Sequence, residues 1–151
     1  MRWKELDAEP CPVARSLSVI GDRWSMLILR DAFKGLTRFE DFCASLGAPR
    51  ATVASRLASL VEHGVMTREL YADHPPRHDY RLTARGRALQ PVMMTLAHWS
   101  ETHLKHPAAK PMNRRHAACG HRFTPVVSCS ECGEEVVPGD VVYGAAHAVA
   151  P

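Results

Sequence analysis

The sequence predicts a mainly α-helical chain with one small β-hairpin and a short cysteine- and histidine-rich hairpin at its end. Three observations predict it. Apolar residues recur at helical intervals from Cys11 to about Leu104. Two β-prone stretches, "VMTRELY" and "DYRLT", flank the proline-stiffened "ADHPPRH". Three of the five cysteines fall in the last third of the chain, where two ligand-type pairs share a two-residue gap. With 46% hydrophobic residues among 151, a core is within reach and global disorder is excluded. The net charge of +3 is compatible with a polyanionic partner but does not require one. The start, "MRWKELDAEP", lacks the apolar segment of a signal peptide, and no apolar run is long enough to span a bilayer. The expected location is therefore the cytoplasm. There cysteines stay reduced, and clustered ones read as metal ligands or redox groups.

The elements follow in order. Residues 1–10 read as an N-terminal arm. "VARSLSVI" spaces Val13, Leu17 and Ile20 as one helical face. "DRWSMLILRDAFKG" offers Asp22 as an N-cap, a stripe of Trp24, Leu27, Ile28 and Phe33, and Gly35 as a stop. "TRFEDFCASLG" opens with Thr37 and Glu40 at capping-box spacing. Phe39, Phe42 and Leu46 are its apolar face, Cys43 reads as core or near-core, and Gly47 closes it. "PRATVASRLASLVEHG" follows, with Pro49 suited to a first turn and Val53, Leu57, Leu60 and Val61 on one face up to Gly64. Two short helices meeting across "GAP" make a helix-turn-helix.

The polar face of the second of these helices carries Arg50, Thr52, Ser55, Arg56 and Ser59, with acid only at Glu62. A helix entering a DNA major groove needs small residues for close approach and arginines for guanine edges or phosphates. A merely solvated face usually mixes Glu with Lys. The strand–tip–strand that follows reads as a wing. Its tip residues His74, Arg77 and His78 suit phosphates or the minor groove, and the alternative is an ordinary surface hairpin. Thr83 can cap a last helix in which Leu89, Val92, Met93, Leu96, Trp99 and Leu104 recur at helical spacing, with Pro91 bending it or costing one hydrogen bond. So wide a stripe reads as core or as half of a dimer seam, and a homodimer is the expected arrangement. "KHPAAKPMN" then reads as a linker.

The expected architecture is mainly α with a small β-wing: a winged helix-turn-helix domain plus a short C-terminal zinc-ribbon-like hairpin. The segments are an arm (1–10), a DNA-binding and dimerisation domain (11–106), a linker (107–115), the ribbon-like tail (116–143) and a frayed end (144–151). The stretches "CPVARSLSVIGDRWSMLILRDAFKGLTRFEDF", "RATVASRLASLVEHGVMTRELY", "HPPRHDYRLTARGRAL" and "LAHW" together resemble the HxlR family of bacterial transcriptional regulators, from Cys11 to about Trp99. The Cys-Pro start, Gly21-Asp22-Arg23-Trp24, Arg56-Leu57, Tyr80-Arg81-Leu82-Thr83 and Gly86 stand in the family's order and spacing. The resemblance implies a winged helix-turn-helix homodimer, joined through its N- and C-terminal helices, that acts on operator DNA near its own or a neighbouring gene. Some members of that family sense electrophiles or oxidants through a cysteine near the N-terminus. Cys11 matches that position and is the candidate redox sensor, and a helix N-terminus stabilises a thiolate. The alternative is a small residue packing the first helix.

In the tail, His116-x-x-Cys119 and Cys129-x-x-Cys132 resemble a zinc ribbon or knuckle, with Gly120 and Gly133 after the second ligands and a strand-like "FTPVV" between. Tetrahedral zinc takes four N/S ligands at this kind of spacing, so one structural Zn per chain is expected, with His121 as the alternative to His116. A metal-free hairpin and a Cys129–Cys132 disulfide are the other readings. The leading function is a DNA-binding regulator, and the competing one is a winged-helix protein-interaction module with a metal-stabilised docking tail. An enzyme is not expected, since there is no Gly-rich phosphate loop and no nucleophile–base pair in a known motif.

Overall fold

A computed structural model describes residues 3–108 and 110–143. The expected frayed end, 144–151, lies outside the described residues. The chain divides between Gln90 and Pro91 into two compact units, taken here in turn.

The first unit opens with a 3-10 helix, Trp3–Ala8, where the sequence suggested only an arm. It packs on helix α1, Pro12–Ile20. Helix α2, Arg23–Phe33, starts as expected: the Asp22 carboxylate accepts from the amides of Trp24 (2.9 Å) and Ser25 (3.3 Å). Helix α3, Phe39–Leu46, and helix α4, Arg50–Glu62, form the helix-turn-helix, with Gly47 in the left-handed region (φ 58°) between them. Ile28, Leu29, Phe42, Val53, Leu57 and Leu60 are fully buried in one cluster, which Val65 and Met66 complete. Asp31 is buried among them. Burial alone would raise its carboxyl, but hydrogen bonds from Arg30 and Ser45 and the charges of Arg30 and Lys34 outweigh that and hold it below the usual carboxylate range.

Two expectations fail here. Thr37 and Glu40 do not form a capping box, because α3 begins one residue late with Arg38 as N-cap and no side-chain cap bond. Thr37 is drawn instead to the wing: its carbonyl accepts from the Tyr80 amide at 2.7 Å and its hydroxyl donates to Asp79 at 3.4 Å. The second failure concerns the wing tip. Strand β1, Met66–Asp73, pairs antiparallel with strand β2, Pro76–Leu82, so the turn is only His74 and Pro75. Arg77 and His78 sit on β2, opposite Ala72 and Leu70, with a bulge in between. The tight turn lets the ladder run as far as the Asp73–Pro76 pair.

The wing is fastened at its base. The Thr83 hydroxyl donates to the Gly64 carbonyl at 2.7 Å and accepts from the Gly86 amide at 3.0 Å, while the Thr83 amide donates to the Val65 carbonyl at 3.1 Å. Thr83 thus caps the four-residue helix α5, Ala84–Arg87, as expected, but the helix does not run on through Pro91. It breaks at Ala88–Leu89 and restarts as α6, Gln90–His103, with Pro91 in the first turn, where its missing N–H costs nothing.

In the second unit α6 buries no residue. The chain after it is not a loose linker: Glu101 accepts from the Met112 amide (2.7 Å) and from Arg114 (2.6 and 3.2 Å). The expected strand at 123–127 does not form. Two small turns closed by single bridges, Arg115↔Arg122 and Ser128↔Glu135, take the place of one continuous hairpin.

A methyl group on Gly86 would stand 2.1 Å from the Val65 carbonyl oxygen, a backbone atom that cannot move without opening the wing base. Gly86→Ala should therefore lower stability by about 1–3 kcal/mol, read as a lower urea midpoint at unchanged slope. An unchanged midpoint would mean that the joint is loose.

Candidate nucleic-acid interface

Helix α4 has a dry face and a wet one. Val53, Leu57 and Leu60 point into the core, so Arg50, Ala51, Ala54, Ser55 and Ala58 point out. The outward face is therefore smaller than the polar residues alone suggested. Thr52, Arg56 and Ser59 are half-buried on the flanks. The three alanines are legible from the helical period, since they lie opposite the buried stripe.

Two of the arginines are paired with carboxylates of neighbouring elements. Arg50 grips Glu40 of α3 with two hydrogen bonds, one of 2.7 Å, and lies over the Phe39 ring at 4.9 Å. That grip holds the Glu40 carboxyl below the usual carboxylate range, and the charge of Arg77 adds to it. Arg56 Nε lies 3.3 Å from Asp22, tying α4 to the N-cap of α2.

On the wing, register puts Arg68, Leu70, His78 and Tyr80 on the same face as the buried Met66. His78 is half-buried, its Nδ1 3.1 Å from the Arg68 guanidinium, whereas His74 and Arg77 are exposed. Arg38 stacks on Tyr71 at 5.1 Å. A groove forms between α3, the outward face of α4 and the wing; Arg38, Arg68, Ala54, Arg77 and His78 line it, with Glu40 and Asp41 at its α3 side. Arg38 and Arg68 were missed in the sequence. The signal for Arg68 was alternation: it shares a strand face with Met66. Arg38 had no local signal, since residue 38 meets the wing through a bridge to Asp79.

The remaining candidates lie apart from this groove in sequence. Cys11 is exposed as the N-cap residue of α1 without a side-chain cap bond. Cys43 packs half-buried against the core, as expected, and burial pushes its thiol up. In the tail, His116 Nδ1 stands 3.4 Å from Cys119 Sγ. The amides of Cys132 and Glu131 donate to the Cys129 sulfur, with the Cys132 thiol beside it, and hold that thiol below its ordinary range. No described cysteine is in a disulfide, and among the described residues no three such donors surround one point.

Residues 19–108 match the HxlR-like helix-turn-helix family. The chain belongs to that family. A curated relative, the HTH-type transcriptional regulator Rv3095 of Mycobacterium tuberculosis, is 43% identical over 129 residues, which is 85% of this chain and 82% of the relative. Among solved structures, the transcription-factor candidate PA1607 superposes with a TM-score of 0.79 at 40% identity over 91% of this chain and 96% of that one. The redox regulator HypR in its reduced form superposes with 0.58 at 30% identity over 61% and 92%. The HxlR-like chain is thus a transcription regulator of the winged helix-turn-helix type. Among its described residues, no helix is long and apolar enough to cross a membrane.

Glu40 sits beside Arg50 and acts on Arg77, so it restrains the positive charge of the groove. Glu40→Gln should raise the affinity of this HxlR-family protein for duplex DNA of any sequence a few-fold and steepen its salt dependence, measured by fluorescence anisotropy. Unchanged affinity would mean that Arg50 and Arg77 do not face the duplex.

Proposed function

We propose that the chain binds operator duplex DNA as a homodimer, with α4 in the major groove and the wing on the flanking backbone or minor groove. The observation that carries this reading is the outward face of α4: small residues beside a groove to which Arg38, Arg68 and Arg77 contribute, on a helix whose opposite face is fully buried. Alanines allow close approach and contact thymine methyl groups, and Ser55 offers a hydroxyl to base edges. Arg50 is the arginine at the N-terminal end of that face, where base edges are usually met, and exchanges Glu40 for DNA. Thr52, Arg56 and Ser59, on the flanks, take the phosphates that border the groove. His74, Arg77 and His78 of the wing, with Arg68, add affinity without choosing sequence.

Ser55→Ala should lower operator affinity and leave scrambled-site affinity nearly intact. Ala54→Glu should abolish both while the protein stays folded, since residue 54 is exposed. Arg77→Ala should weaken both sites equally and reduce the slope of log affinity against log salt by about one. The assay is anisotropy titration of both duplexes over a series of salt concentrations. Tight, salt-independent binding or an inert Ala54→Glu would exclude this mode and favour the protein-interaction module.

Two apolar faces support the homodimer. Val13 and Leu17 of α1 are exposed one turn apart, and so are Val92, Leu96 and Trp99 along α6. In the proposed homodimer the two α4 helices read half-sites about 34–36 Å apart. Sedimentation at micromolar concentration should give a dimer, and Trp99→Glu should give a folded monomer. A monomeric wild type contradicts this assembly. Exposure alone assigns Cys11 no sensing role.

A further inference from the structure

We propose that residues 115–135 are a zinc-binding module in which His116, Cys119, Cys129 and Cys132 hold one Zn2+ per chain.

The tail contains the same turn twice. The His116 amide donates to the His121 carbonyl at 2.9 Å, and the Cys129 amide donates to the Glu134 carbonyl at 2.8 Å. The Gly120 amide donates back to His116 at 2.7 Å, and the Gly133 amide donates back to Cys129 at 2.9 Å. Gly120 and Gly133 are both left-handed, with φ of 72° and 78°, a conformation that an L side chain resists. The bridges Arg115↔Arg122 and Ser128↔Glu135 close the two turns in the same register. His116 therefore occupies the position of Cys129, and Cys119 that of Cys132. His121 occupies the position of Glu134, whose part in the turn is played by its carbonyl. This equivalence selects His116 over His121 as the fourth ligand.

The donor geometry within the first turn fits the metal. Zn–N of about 2.0–2.1 Å and Zn–S of about 2.3 Å in a tetrahedron imply an N···S edge of about 3.5 Å. His116 Nδ1 and Cys119 Sγ are 3.4 Å apart.

Among its described residues the tail has hydrogen-bonded turns but no buried core. No described residue of 91–143 is buried, and Val126, Val127 and Val137 are exposed. A short segment without an apolar core needs a covalent or metal staple, and its thiols are unpaired. The two pairs do not surround a common point, so binding must draw one turn onto the other. Four protein ligands leave no open coordination position, so the metal is structural.

The test uses the full-length chain, purified reduced and without chelator, with zinc counted by elemental analysis. Cobalt(II) is titrated in parallel as a spectroscopic probe. The expected result is one zinc per chain and the visible d–d bands of tetrahedral cobalt with thiolate ligands. His121→Ala should keep the full equivalent, whereas His116→Ala and Cys132→Ser should lose it. No zinc and no tetrahedral cobalt bands in the wild type overturn the proposal, whatever the variants do. So does half an equivalent, which means a site shared between chains. Loss of zinc in His121→Ala with retention in His116→Ala overturns the ligand assignment.

Discussion

The dryness of one face of α4 is the constraint on which the first unit turns. Val53, Leu57 and Leu60 are sealed against Ile28 and Leu29 of α2 and Phe42 of α3. Each large apolar side chain removed from water contributes about 1.5–3 kcal/mol, and three at helical spacing leave the helix one orientation. The outward direction of Ala51, Ala54, Ser55 and Ala58 is therefore not an independent feature. The wing inherits the same constraint. The Val65 amide closes onto the Leu60 carbonyl at 2.9 Å, Val65 and Met66 are buried with the helix, and Thr83 and Gly86 clasp the same turn from the other side.

Charge then divides the arginines into two groups. Arg30, Arg50 and Arg56 each meet a carboxylate on the structured side of the domain: Asp31, Glu40 and Asp22. Asp22 serves twice, as the cap of α2 and as the partner of Arg56. Asp31 is buried and shared with Lys34 and Ser45, so it joins α2 to α3 where apolar packing alone would leave their relative position less defined. Arg77 makes no salt bridge among the described residues, and Arg68 faces a histidine. These cations are available to a polyanion, and they border the helix face that is smallest. The surface ties themselves contribute little to stability, but they decide which guanidinium groups are spent at rest.

Much of this was legible in the sequence because it is local. The stripes of α2 and α4, the Asp22 and Thr83 caps and the glycine stop after α3 depend on neighbours within a turn or two. What escaped depends on distant partners. Thr37 looked like a cap, yet it is claimed by Asp79 and Tyr80, more than forty residues away. The break before Pro91 has no local signature, since nothing nearby distinguishes a helix bent or short of one hydrogen bond at Pro91 from two helices. The true width of the wing tip is hidden in the sequence because the bulge that re-registers Ala72 against Arg77 has no signature of its own. In the tail, the Cys and His spacing was visible, but the equivalence of His116 and Cys129 rests on carbonyl partners that only coordinates reveal.

In the proposed complex a buried stripe and a clasped wing aim one small-residued helix face at a duplex. Hydroxyl-radical footprinting of the DNA upstream of the protein's own gene tests it most directly. The expected footprint is two protected patches on one face of the duplex, about one helical turn apart, each flanked by weaker protection where a wing lies. A uniform footprint without periodicity, or none at protein concentrations that saturate binding, would contradict it.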